Sequence, residues 1–95
     1  MLRRAENIGN VLKRTFANLG LDRKMREFEA VNRFAEVVGE KIAQKAQAIQ
    51  IDRGTLTVRV SSAAWRQELT YSKAEIIDKL NTALGDTIVT DIYFT

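Results

Sequence analysis

The stretch Ile49-Gln50-Ile51-Asp52-Arg53-Gly54-Thr55-Leu56-Thr57-Val58-Arg59-Val60, running on into Ser61-Ser62-Ala63-Ala64-Trp65-Arg66-Gln67-Glu68-Leu69, decides the fold class of this chain. Two alternating segments flank a short Asp-Arg-Gly loop, which is the pattern of a β-hairpin. Leu56, Val58 and Val60 share one side with Ile49 and Ile51, while Thr55, Thr57 and Arg59 face away. The hairpin feeds directly into a helix that carries the only tryptophan, with Ser61 or Ser62 as its N-cap.

Working outward from the hairpin, Trp65, Leu69, Ile76, Leu80 and Leu84 recur at helical spacing, with Ile77 beside them. This predicts one continuous helix ending at Gly85. The alternative is a break near Tyr71, because Ser72-Lys73-Ala74-Glu75 also reads as a capping box. Residues 87–94 are rich in β-branched and aromatic types and read as a third strand. Reached by a helical crossover, that strand can pair parallel to a hairpin strand.

Upstream, Ile8, Val11, Leu12, Phe16 and Leu19 mark a helical face over residues 2–18, closed by Gly20. A second helix follows, with Asp22 as its cap and a stripe of Met25, Phe28, Val31, Ala35, Val38 and Ile42. Phe34 lies on the flank of that stripe. Gly39 predicts a kink, or a break into a short third helix over residues 40–46. The fold class is α+β: a three-stranded sheet with helices on one face, in the order α-α-(α)-β-β-α-β. Residues 1–95 read as a single domain without a tail.

Composition narrows the chemistry. The chain has no histidine and no cysteine, so disulfides, thiolate nucleophiles, imidazole catalysis and cysteine–histidine zinc sites are excluded. There is no phosphate-binding glycine loop and no nucleophile elbow. Pairs such as Glu36 with Glu40, or Glu75 with Asp78, are ordinary helix-surface spacings. A non-enzymatic protein without cofactor is expected. No apolar run approaches the roughly 20 residues that span a bilayer, and no signal-peptide core is apparent. The expected location is cytoplasmic, with no membrane partner.

A net charge of +3 and a pI near 9.5 tilt the domain mildly towards polyanions. The candidate nucleic-acid-binding residues are Lys41, Lys45, Arg53, Arg59 and Arg66. Lys41 and Lys45 lie one helical turn apart with no carboxylate between them, Arg53 sits at the hairpin tip, Arg59 is on the outward side of its strand, and Arg66 follows the tryptophan. With the short helix near the hairpin they would converge into one basic strip, and five phosphate contacts would give a salt slope of about −3.5 on single strands. Arg3, Arg4, Lys13 and Arg14 form a second cluster. Arg23, Arg26 and Arg33 share their helix side with Glu29, Glu36 and Glu40, so a solvated and partly self-paired surface is expected there. Trp65, on the Leu69 stripe, reads as core rather than as a base-stacking residue. Phe28 and Phe34 also read as core, whereas Tyr71 and Tyr93 are undetermined.

Four segments in order carry a resemblance. They are Val37-Val38-Gly39-Glu40-Lys41-Ile42-Ala43, the hairpin strand Gly54 to Val60, the Ser61 to Leu69 segment, and Leu80-Asn81-Thr82-Ala83-Leu84-Gly85. Over residues 22–94 the chain resembles the DciA family of bacterial proteins associated with the DnaB-type replicative helicase. The resemblance implies a KH-like fold, affinity for single-stranded DNA and a helicase partner that the protein recruits or loads. Where the family often has tryptophan three residues before Val-Val-Gly, this chain has Phe34. The basic or disordered extension of many members is not expected here. KH domains clamp the nucleic-acid backbone with a GxxG loop, and Gly39-Glu40-Lys41-Ile42 does not match one. The alternatives are a KH-like RNA- or ribosome-associated protein and a pure protein-interaction domain.

Overall fold

The computed structural model describes residues 21–95. The opening helix expected over residues 2–18, the Gly20 cap and the Arg3, Arg4, Lys13, Arg14 cluster lie outside the described residues. Within them the order is α1 (Asp22–Val38), α2 (Glu40–Ala43), β1 (Ala46–Asp52), β2 (Thr55–Val60), α3 (Ala63–Tyr71), α4 (Lys73–Leu84) and β3 (Asp91–Phe94). The strands form one mixed sheet in the order β1-β2-β3, with β1 and β2 antiparallel and β2 and β3 parallel. This is the α+β, KH-like arrangement expected from the hairpin and the crossover.

The register sorts the two faces. On one side Ala46 pairs with Val60, Ala48 with Val58 and Ile51 with Leu56, while Ile92 and Phe94 lie beside Leu56 and Val58. These residues meet Phe34, Leu69, Ile76 and Leu80 in a single apolar cluster beneath the helices. α1 packs mainly on β1 and α4, and α3 lies over β2 and β3. The opposite face carries Gln47, Gln50 and Asp52, then Thr55, Thr57 and Arg59, then Asp91 and Tyr93.

The hairpin turn is built from two residues in the left-handed region, Arg53 at φ 49° and Gly54 at φ 88°, the positive pair that a type I′ turn requires. Gly54 also joins three elements. Its N–H donates to the Glu27 carboxylate on α1 at 3.2 Å. Its carbonyl accepts from the N–H groups of Thr90 at 2.8 Å and Asp91 at 3.3 Å, where β3 begins. A Cβ at this position would stand 2.6 Å from the Thr90 Oγ1.

Several expectations are corrected. The helix after the hairpin is not continuous: it breaks at Ser72, whose N–H donates to the Leu69 carbonyl in a tightened turn. A straight helix over both segments would be about 33 Å long at 1.5 Å per residue, whereas six-residue strands reach only about 20 Å. Folding the helix in two lets Leu69 and Ile76 enter the same core. The short helix ends at Ala43 rather than 46, and β1 starts at Ala46. Ile49 does not share a face with Ile51 in a regular strand: it is the extra residue of a bulge between Ala48 and Gln50, 38% exposed.

The third strand covers only Asp91–Phe94. Ile88 and Val89 are buried without strand pairing because Asn81 holds their backbone. Its Oδ1 accepts from the N–H groups of Ile88 at 3.0 Å and Val89 at 2.9 Å, and its Nδ2 donates to the Val89 carbonyl at 2.8 Å. Asp22 is the first residue of α1 rather than its cap, Leu21 occupying that place without a side-chain bond. Ser62, by contrast, caps α3, its Oγ accepting from the Trp65 backbone N–H. Gly39, at φ 94°, makes the expected break between α1 and α2.

The buried side of α1 is also rotated from the expected stripe. Phe34, expected on the flank, is 2% exposed and central to the core, while Phe28 is 66% and Met25 52% exposed. Glu27 turns inward to Gly54 and Ala30 sits fully buried, so the sheet covers the arc of Glu27, Ala30 and Phe34. Phe34→Ala is therefore expected to cost about 3–5 kcal/mol and Phe28→Ala no more than about 0.5–1 kcal/mol, as read from urea unfolding midpoints. Gly54→Ala, which combines a positive φ with the Thr90 collision, is expected to cost about 1–3 kcal/mol in the same measurement.

Candidate nucleic-acid interface

The charged side chains fall into paired and unpaired sets. Arg26 reaches Asp22 at 3.6 Å and Asp86 at 3.4 Å. Arg33 lies between Glu29 and Glu36 and donates to the Ala83 carbonyl at 3.1 Å. Arg33 thus shows the self-pairing expected for the outer side of α1, Arg26 pairs with Asp22 and Asp86 instead of the glutamates, and Arg23 makes no ion pair among the described residues. Lys73 is engaged by Asp91 at 3.3 Å and Lys79 by Glu75 at 3.6 Å. Among the described residues, Lys41, Lys45, Arg53, Arg59 and Arg66 make no ion pair with a carboxylate.

The five do not gather into one strip. Lys45 and Arg59 come together at the end of the hairpin remote from its turn, lining one depression with Asn32, Gln44, Gln47 and Ser61. The local chain explains why: Gln47 is the register partner of Arg59, and the Ser61 N–H donates to the Lys45 carbonyl at 2.9 Å. Lys41 lies exposed on α2, one turn before Lys45. Arg53 stands at the opposite end of β2, about 20 Å away at 3.3 Å per residue. There it lines a different hollow with Arg23, Lys24, Glu27 and Asp52. Arg66 is half-buried on α3, and its Nε is buried without a hydrogen-bond partner.

Trp65 is half-buried and packs against the core, as its stripe implied. Tyr71 is exposed, its hydroxyl accepting from the Gln67 amide. Tyr93 is 62% exposed and lies on the open face of the sheet beside Thr57. Alternation in Asp91-Ile92-Tyr93-Phe94 was the available signal for that placement, since Ile92 and Phe94 are buried. Met25 and Phe28, expected on the buried stripe, instead form an exposed apolar patch with Leu21 at the start of α1, and Met25, Phe28 and Leu84 surround one shallow hollow.

The open face is electrostatically graded. One end carries Asp52 and Asp91 flanking Thr55, and the other carries Arg59 with Lys45 nearby. The Asp91 carboxyl is held below the usual carboxylate range, first by the Ile92 N–H and then by the Lys73 ammonium, so it remains charged near neutral pH. Among the described residues no cluster of histidine, cysteine or carboxylate side chains is arranged to hold a metal ion. None of their helices is long and apolar enough to cross a membrane.

A small mixed sheet backed by helices is the arrangement of a KH-like domain, here without a GxxG sequence. The chain belongs to the DciA family, whose model, described as "Dna[CI] antecedent, DciA", matches residues 7–94. Similar curated proteins carry the name "UPF0232 protein". One from Rhodococcus jostii is 33% identical over 76 residues, covering 80% of this chain and 40% of that one. One from Mycolicibacterium smegmatis is 28% identical over 85 residues, 90% of this chain and 44% of the relative. One from Mycobacterium leprae is 27% identical over 94 residues, 99% and 50%. The chain thus spans half or less of the length of these relatives.

Arg66 separates packing from binding. Leaving a buried donor without a partner costs free energy, while the aliphatic stem packs as methionine would. Arg66→Met is expected to leave stability within about 0.5 kcal/mol or to raise it, as read from the urea midpoint. A larger drop in stability would mean that the guanidinium has a stabilising partner.

Proposed function

We propose that this chain is a non-enzymatic DNA-replication adaptor that holds single-stranded DNA weakly at its cationic corner and recruits or loads a DnaB-type replicative helicase. The observation that carries the DNA part is the convergence of Lys45 and Arg59, which have no carboxylate partner among the described residues. Cations left unpaired on a mildly basic domain attract phosphate without sequence readout. The helicase part rests on membership of the DciA family, whose members are associated with that helicase. A cytoplasmic setting follows from this role.

The α1 patch of Leu21, Met25 and Phe28 supports a protein partner at a surface separate from the Lys45–Arg59 corner. Exposed apolar clusters of this kind mark interaction sites. The same patch favours the second reading, a pure protein-interaction domain with no affinity for nucleic acid. RNA in place of DNA is the other alternative, since electrostatic holding does not itself distinguish the sugars.

The double substitution Lys45→Glu plus Arg59→Glu separates these readings. Binding of a fluorescent oligothymidine at two salt concentrations is expected to weaken at least about tenfold at low salt. The salt slope is expected to shrink by about 0.7 for each phosphate that is no longer neutralised. Capture of the host's replicative helicase by the variant is expected to persist. Unchanged DNA binding would place the DNA site away from this corner, no measurable binding by the parent chain would leave the pure protein-interaction domain as the correct reading, and tighter binding of the matching oligouridine would favour RNA.

A further inference from the structure

We infer that the open face of the sheet is a single-stranded DNA platform on which Tyr93 stacks a base while Arg59 and Lys45 hold the neighbouring phosphates. This rests on the reading of the Lys45–Arg59 corner as a DNA-holding site and assigns the residue that engages the bases. Tyr93 presents an aromatic ring to solvent from a four-residue edge strand, at 62% exposure. Its hydroxyl makes no hydrogen bond with the described residues, so the ring is not committed to the protein's own structure.

Position makes the ring useful. Tyr93 pairs across the parallel ladder with Thr57, and Arg59 lies two residues further along β2 on the same face. Strand spacing near 4.8 Å and a two-residue rise put Tyr93 and Arg59 about 8 Å apart at the backbone. That separation is within reach of the two long side chains, so a stacked base leaves its backbone next to the guanidinium. Lys45 extends the cationic edge beyond Arg59. In the same cross-strand row as Tyr93, Thr57 and Gln50 form a register pair that offers hydroxyl and amide groups to base edges.

The other end of the face differs. Asp52 and Asp91 flank Thr55 there, Lys73 pairs with Asp91, and Asp52 shares a hollow with Arg53, Arg23 and Lys24. Positive charge at that end is offset by carboxylates, whereas Arg59 and Lys45 have no carboxylate partner among the described residues, so the platform is assigned to the half of the sheet that runs from Tyr93 to Lys45. Stacking on aromatic faces tolerates any base, which matches a holder without sequence preference. At the Lys45 end the platform meets the groove between β1 and the helices, where Asn32 and Gln44 also line the depression.

The test compares Tyr93→Ala and Tyr93→Phe in the full chain, using fluorescent oligothymidine and an abasic strand of the same length. Tyr93→Ala is expected to weaken oligothymidine binding about five- to hundredfold and to leave abasic-strand binding unchanged. Tyr93→Phe, which keeps the ring, is expected to bind within about twofold of the parent. Equal weakening on both strands would overturn the stacking role, as would an equal weakening in Tyr93→Phe. If Tyr93→Ala binds normally while Lys45→Glu plus Arg59→Glu does not, the platform is wrong and the cationic corner stands. If neither variant changes binding, both fail. Tighter binding of oligouridine by the parent chain, abolished in Tyr93→Ala, would overturn the assignment to DNA.

Discussion

The turn at Gly54 is the constraint on which the rest of the molecule depends. One residue supplies a left-handed backbone, an N–H for the Glu27 carboxylate and a carbonyl for the first two amides of the β3 approach. Those bonds tie the hairpin tip to α1 on one side and to the third strand on the other. A Cβ at this place would strike the Thr90 hydroxyl, and φ is positive, so the close approach of β3 to the turn favours glycine. With β3 locked at its start, its four residues fall into parallel register with β2 and send Asp91 and Tyr93 to the face opposite the described helices.

The consequences for charge follow from that register. Each strand sends its apolar residues under the helices and its polar residues outward, so the outward set is fixed once pairing is fixed. The result is a gradient from Asp52 and Asp91 near the turn to Arg59 and Lys45 at the far end, with Tyr93 between. Carboxylates and basic neighbours, Lys73 and Arg53, share the turn end, while Arg59 and Lys45 have no carboxylate partner among the described residues. A small domain without a deep pocket can bind a flexible polymer in this manner, because many shallow contacts replace one enclosed site.

Much of the fold was legible in the residues themselves. The hairpin, the parallel return, the Gly39 break and the self-pairing of Arg26 and Arg33 all follow from spacing and turn chemistry. Other features depend on partners that no local window contains. The start of β1 is hidden because Ala46 and Ala48 carry little strand signal, and they are tolerated because α1 packs over that strand. α1 has a wide apolar arc, and which part of it is buried depends on the sheet, which covers Ala30 and Phe34 and leaves Phe28 exposed. The break at Ser72 reflects the length of the sheet, and the burial of Ile88 and Val89 reflects three bonds from Asn81. The candidate site was half visible: the unpaired cations were nameable one by one, but only tertiary structure brings Lys45 to Arg59 and sends Arg53 to the other end.

The central claim is that the cationic half of the open sheet face receives single-stranded DNA. Its most direct measurement is an NMR titration of backbone amides with an oligothymidine of about 15 nucleotides, the upper range of single-strand sites on small domains. Shifts concentrated at Lys45, Gln47, Thr57, Arg59 and Tyr93, with Met25, Phe28 and Arg53 unmoved, are the predicted result. Shifts centred on the Arg23–Arg53 end or on the α1 patch, with the Tyr93–Arg59 face silent, would contradict it.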